Sequence, residues 1–96
     1  MRHRKQYRRF YGDFRTMERT LQNNGWYGNS SGEYGGLFYY GIMDSADGNY
    51  FMEYWADILD RELGDDWWRD YAMTFGSNPD PSTNYVYRDA IIIEPH

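Results

Sequence analysis

Aromatic residues dominate the apolar part of this sequence. Phe, Trp and Tyr together number twenty of the 96 residues, whereas Leu, Ile and Val together number only ten. The core must therefore be built from rings, each of which can bury about 150 to 250 Å². A chain of this length buries only roughly 60 to 70% of the surface that its unfolded form exposes. We therefore expect a small domain that leaves several aromatic side chains on its surface, where such residues anchor interfaces.

The residue types that are missing exclude several classes of function. The chain has no Cys, so disulfide frameworks and thiolate chemistry are ruled out. Its two histidines, His3 and His96, stand at the chain ends, where they do not favour a nucleophile and base arrangement. We expect no enzymatic activity, no cofactor and no metal site.

The hydropathy pattern gives no sign of a membrane segment. The longest uninterrupted apolar runs, 37–40 and 90–93, are four residues long, against about 20 for a membrane helix. The charged start also lacks the apolar region of a signal peptide. The sequence therefore predicts a soluble protein without a membrane partner, located in the cytoplasm, which is the host cytoplasm if the protein is viral.

Charge is distributed unevenly along the chain. Residues 2–19 carry seven basic and two acidic side chains, whereas residues 20–96 carry three basic and thirteen acidic ones. The net charge of −5 therefore hides a dipolar molecule. We interpret the chain as a single domain over 1–96, with a basic amphipathic helix over 1–22 and an acidic body over 23–96. Such asymmetry is typical of contact with a charged polymer or of halves that neutralise each other.

The spacing of apolar residues predicts an α+β fold, in which two or three helices pack on a small, mainly antiparallel sheet. The first helix has apolar residues at three- and four-residue steps and a stop signal at 23–25. Further along, the patterns predict a strand over 37–43, a helix over 49–63, a short helix from 66 to 75 and a strand over 84–94. A return strand over 49–55 is the alternative to the second helix.

Carboxylates recur on one side of the predicted second helix. Glu53, Asp57 and Asp60 stand at i, i+4 and i+7, a span of about 10.5 Å along a helix. Three more acidic residues follow the helix and two tryptophans lie among them: Asp65, Asp66, Asp70, Trp67 and Trp68. We predict that the carboxylates stand in for phosphates opposite a basic partner, with either tryptophan as the apolar anchor. The alternative is a solvated acidic surface.

In size and charge the chain resembles the small acidic proteins that phages use against host defence enzymes, such as restriction and CRISPR complexes. Some of those proteins mimic DNA. The resemblance implies an inhibitor that docks on a larger, nucleic-acid-binding protein.

A second hypothesis places the function on the basic helix. Its positive residues lie beside its aromatic ones, an arrangement that suits nucleic acid. The residues that would contact phosphate are Arg4, Lys5, Arg8, Arg15 and Arg19. The chain would then be a nucleic-acid-binding or virion structural protein. A homo-oligomer is compatible with both hypotheses.

Overall fold

A computed structural model describes residues 14–31, 37–64, 66–82 and 85–96 of the chain. In these ranges the helices and strands are α1 (14–23), β1 (Asn29–Ser31), β2 (Leu37–Ile42), α2 (Gly48–Leu63), β3 (Tyr71–Ser77) and β4 (Asp89–Pro95). Short 3-10 turns cover Ser45–Asp47 and Trp67–Arg69. The fold is a small α+β domain, as predicted. The described ranges contain no helix that is both long and apolar enough to cross a membrane.

The four strands form one antiparallel sheet in the order β1-β2-β4-β3. The last strand of the sequence is therefore an inner strand of the sheet, paired on both sides. Its register places Ile93 between Phe38 of β2 and Met73 of β3. Both Ile91 and Ile93 are fully buried. The isoleucine run is explained by this central position, because strands with paired edges and a covered face favour β-branched residues.

Both helices contribute to the same core as the sheet. α1 supplies Met17 and Leu21, and the buried side chains of α2 are Trp55, Ile58 and Leu59. Rings make up much of this core. Trp26 meets Trp55 edge-on with centroids 5.0 Å apart, and Phe14 stacks on Phe38 at 5.2 Å. Trp26 is therefore part of the buried core.

Glycines end both helices at the predicted places. After α1, Gly25 adopts a φ of +93°, its N–H donates to the Gln22 carbonyl at 3.2 Å, and the Trp26 N–H donates to the Leu21 carbonyl at 2.9 Å. These two bonds form a Schellman motif. α2 ends at Gly64, which has a φ of +87°.

The prediction of a helix rather than a return strand over 49–55 is confirmed.

The short helix predicted from 66 to 75 is wrong. Only a 3-10 turn forms at Trp67–Arg69, and Tyr71–Ser77 is strand β3. The four-residue step from Tyr71 to Phe75 fits a helix, but it also puts both rings on one side of a strand. Hydrogen-bonded pairing with β4 makes this segment a strand and not a helix. The strand predicted over 84–94 is confirmed from Asp89 onward.

Candidate functional site

The outer side of α2 carries carboxylates and aromatic rings together. Glu53 and Asp57 are exposed one turn apart, and beside them Tyr50 is 64% exposed and Tyr54 45%. At 100° per residue these four side chains fall within an arc of about 100°. We call Tyr50, Glu53, Tyr54 and Asp57 the α2 face.

The buried side of the helix determines what the α2 face displays. Trp55, Ile58 and Leu59 lie in the core with exposed fractions of 5% or less. Their three- and four-residue spacing fixes the rotation of α2 against the sheet. The four side chains of the α2 face lie on the other side of the helix and are therefore turned to solvent.

The two tyrosines of the α2 face are held by other rings. Tyr50 and Tyr54 stack on each other, with centroids 6.3 Å apart and planes at 19°. Tyr50 also meets Phe51 edge-on at 5.3 Å, and Tyr54 meets Trp55 edge-on at 5.3 Å. A partner that binds here meets preordered rings, so less side-chain entropy is lost on binding.

The negative charge of the α2 face is not neutralised within the described part of the chain. Neither Glu53 nor Asp57 forms an ion pair or a side-chain hydrogen bond there. Arg61 follows Asp57 by one turn, but its guanidinium lies 3.5 Å from Glu62 and donates to the Asn24 amide oxygen at 3.4 Å. Both carboxylates of the face therefore remain available to a cationic partner.

Asp60, the third predicted carboxylate of α2, has a partner inside the protein. The indole N–H of Trp67 donates to its Oδ1 at 2.7 Å. Trp67 is itself half-buried and packs against the core. This pair ties the turn after Gly64 back to α2, so both side chains contribute to the fold.

Two of the acidic residues after Gly64 line a small cavity. Asp66 and Asp70 line a cavity of about 280 Å³ together with Trp67 and residues of α1, of the end of α2 and of the start of β3. Asp66 is exposed and Asp70 half-buried. Asp65 lies outside the described residues. Of the predicted carboxylates that the structure describes, two lie on the α2 face, two line this cavity, and Asp60 is bonded to Trp67.

The second predicted anchor, Trp68, is at the surface. It is 56% exposed, and the guanidinium of Arg69 lies 5.8 Å from its ring centroid. The carbonyl oxygen of Trp68 contacts Nε2 of His96 at 2.8 Å. Of the two tryptophans, Trp68 is the more exposed.

The basic residues of the alternative hypothesis are described only in part. Arg15 and Arg19 are exposed one turn apart on α1. Arg4, Lys5 and Arg8 lie outside the described residues. The described positions therefore give one short pair of cations on the helix surface.

Sequence reasoning missed the tyrosines of the α2 face. Tyr50 and Tyr54 stand at i and i+4 and flank Glu53. On the helix predicted over 49–63, this spacing was the signal that could have identified them.

Elsewhere on the described surface, no three His, Asp or Glu side chains gather as a metal site would require. The chain matches no protein-family model, no curated protein and no solved structure. Function is therefore inferred from the charge and geometry of the surface itself.

Proposed function

We propose that this protein is a non-enzymatic binding protein that docks on a larger, basic, nucleic-acid-binding protein and inhibits it. The observation that carries the proposal is the α2 face, where two carboxylates without partners in the described residues adjoin two exposed, stacked tyrosines. Its occupant is a positively charged protein surface.

Charge supports a basic partner. Glu53 and Asp57 stand about 6 Å apart along the helix axis and belong to a chain with a net charge of −5. A surface of this sign speeds association with a groove that is built to hold phosphate. The carboxylates would occupy phosphate positions and so compete with nucleic acid.

Aromatic chemistry supports a protein as the partner. Tyrosine and tryptophan are enriched at protein interfaces because they bury a large area with few rotatable bonds. Tyr50 and Tyr54 meet this description on the α2 face, and Trp68 adds a further exposed ring.

The resemblance to phage anti-defence proteins suggests which partners to test first. Restriction and CRISPR complexes hold nucleic acid in basic grooves, and the cytoplasm is where such an inhibitor would meet them. The first experiment measures competition between this protein and labelled duplex DNA for a panel of these complexes, at low and moderate salt.

A double charge reversal tests the role of the α2 face. Glu53→Lys with Asp57→Lys should slow association with the partner at least about tenfold, because rim charges act mainly on the association rate. The matched control is Glu62→Lys with Glu94→Lys, which makes the same change of charge at exposed positions off the face. Unchanged binding by the folded face variant would refute this mechanism.

Direct binding of nucleic acid is the second candidate, and the exposed pair Arg15 and Arg19 favours it. Fluorescence anisotropy of labelled duplex DNA and single-stranded RNA, at about 50 and about 200 mM salt, tests it. Tight binding that weakens steeply with salt, and that is lost in Arg15→Gln with Arg19→Gln, would support it. Absence of binding at the lower salt would eliminate it.

A further inference from the structure

A cleft separate from the α2 face opens at the amino end of α2. Its volume is about 440 Å³, within the range of about 300 to 1,000 Å³ that is typical of small-molecule sites. The lining comes from four segments: the chain before β1, the end of β2, the start of α2 and the loop between β3 and β4. The cleft is therefore produced by the fold and not by one loop.

The cleft exists because β1 is shorter than β2. The first residue of β1, Asn29, pairs with Tyr39, and no described strand pairs with β2 beyond that point on the same side. A side chain at Gly28 would collide with the carbonyl oxygen of Tyr39, so that carbonyl faces the β1 side. Backbone groups alternate in direction along a strand, so Gly41 turns its N–H and C=O to the same side. Gly41 lines the cleft, which places a backbone acceptor at its wall.

Aromatic residues contribute to the apolar lining. Those among the described residues are Tyr27, Tyr39, Tyr40, Phe51 and Tyr87. Tyr87 lies directly over Gly41, where a Cβ atom would come within 2.8 Å of the Cβ of Tyr87. The buried Asn78 holds this tyrosine by donating from Nδ2 to its carbonyl oxygen at 2.8 Å. These rings give the cleft electron-rich faces that attract cations.

The charged groups of the cleft are negative. Asp44 and Asp47 line it, and none of the described lining residues is Lys, Arg or His. Asp44 accepts a hydrogen bond from the Ala46 N–H at 2.9 Å, whereas the Asp47 side chain makes no capping bond to α2. The amino end of α2 contributes about half a positive charge, which two carboxylates exceed. The cleft therefore favours a cation.

We propose that this cleft binds a guanidinium group, the planar cation of an arginine side chain. A guanidinium stacks on aromatic rings and at the same time donates several hydrogen bonds in its own plane. Asp47 and the Gly41 carbonyl supply acceptors, and the tyrosines supply the stacking surface. An ammonium group fits less well because it is a compact, strongly hydrated charge. The site does not depend on the α2 face, so its failure and the failure of the proposed function are separate results.

The test is an amide-resolved NMR titration with acetyl-arginine amide. We expect saturable shifts at Gly28, Gly41 and Asp47, with a dissociation constant in the millimolar range. The citrulline analogue, which has the same shape without the charge, is the control and should bind at least about tenfold more weakly. Equal binding of both compounds, or shifts that map elsewhere on the protein, would overturn the proposal.

Two variants assign the interaction to the cleft. Asp47→Asn should weaken binding about tenfold because it removes a charge-assisted hydrogen bond. Tyr27→Ala should weaken it about threefold, and it leaves the core intact because Tyr27 is 88% exposed. The matched control is Glu94→Gln, which neutralises an exposed carboxylate outside both the cleft and the α2 face and should bind as the parent does. Parent-like binding by Asp47→Asn would also overturn the proposal.

A last titration distinguishes a free small molecule from an arginine side chain of a protein partner as the occupant of the cleft. A capped Gly-Arg-Gly peptide can also pair its backbone with the open edge of β2. Binding at least about tenfold tighter than acetyl-arginine amide would assign the cleft to a protein side chain. Equal affinity would assign it to a small guanidinium compound.

Discussion

Two groups of carboxylates in this protein differ in what they touch. On the α2 face, Glu53 and Asp57 are exposed and have no partner within the described residues. Around the turn after Gly64, Asp60 accepts a hydrogen bond from Trp67, and Asp70 is half-buried beside a cavity. Both groups are acidic and lie close in sequence. Negative charge alone therefore does not distinguish the two groups, whereas contacts inside the protein do.

The tryptophan pair next to Gly64 gives the sharpest test of this difference. Trp67→Ala removes packing against the core and the hydrogen bond to Asp60, so we expect a loss of about 3 kcal/mol in the free energy of unfolding. Trp68→Ala, at an exposed position, should stay within about 0.5 kcal/mol of the parent. Urea unfolding measures both. Similar losses in the two variants would contradict the distinction between them.

The glycine that ends α2 comes next in expected effect. Gly64 has φ +87° and ψ 159°, a conformation that is essentially restricted to glycine. Gly64→Ala should therefore cost about 2 kcal/mol. Gly76→Ala is the control, because Gly76 has no positive φ and a Cβ there meets nothing within 4 Å. If the two variants unfold at the same urea concentration, the backbone conformation at position 64 does not require glycine.

Removing one carboxylate from each group should give a smaller difference in the free energy of unfolding. Asp60→Ala leaves the half-buried indole N–H of Trp67 without its acceptor, at a cost of about 1 kcal/mol. Asp57→Ala should change the unfolding free energy by less than about 0.5 kcal/mol. The reverse order of the two losses would show that the α2 face stabilises the fold rather than serving a partner.

The smallest expected effect is a change in the pH dependence of stability, and it comes from the phenol of Tyr39. Burial, with a contribution from the charge of Asp80, raises the pKa of Tyr39 above its usual value. The unfolded phenol ionises near pH 10, so above that pH the native state holds more protons than the unfolded state. Stability should therefore fall as the pH rises from about 10 towards the native pKa. Tyr39→Phe should show a flatter fall in urea unfolding between about pH 9 and 11. An unchanged slope would show that Tyr39 is not the group responsible.

Much of the fold was accessible from local patterns. The spacing of Trp55, Ile58 and Leu59 identified α2, and Gly25 and Gly64 marked the helix ends. Strand β3 was missed because its ring spacing also fits a helix, and only its pairing with β4, distant in sequence, resolves the ambiguity. Local periodicity predicts elements well when one face is buried continuously, and less well at a sheet edge.

The candidate site was predictable to a smaller extent. Glu53 and Asp57 were identified from helical spacing, and both are exposed. The bond between Asp60 and Trp67 could not be foreseen, because it depends on how the chain turns after Gly64. Four segments of the chain form the cleft at the amino end of α2, so no single stretch of sequence predicts it.

The strand order also bears on how the chain folds. β2 and β4 pair across roughly 50 residues of intervening chain, which include all of α2. Closing so large a loop costs entropy before any contact is gained, and pairings of this kind slow folding. The hairpin of β3 and β4 closes a much shorter loop. We therefore expect α2 and the β3–β4 hairpin to form early and the docking of β2 onto β4 to limit the rate.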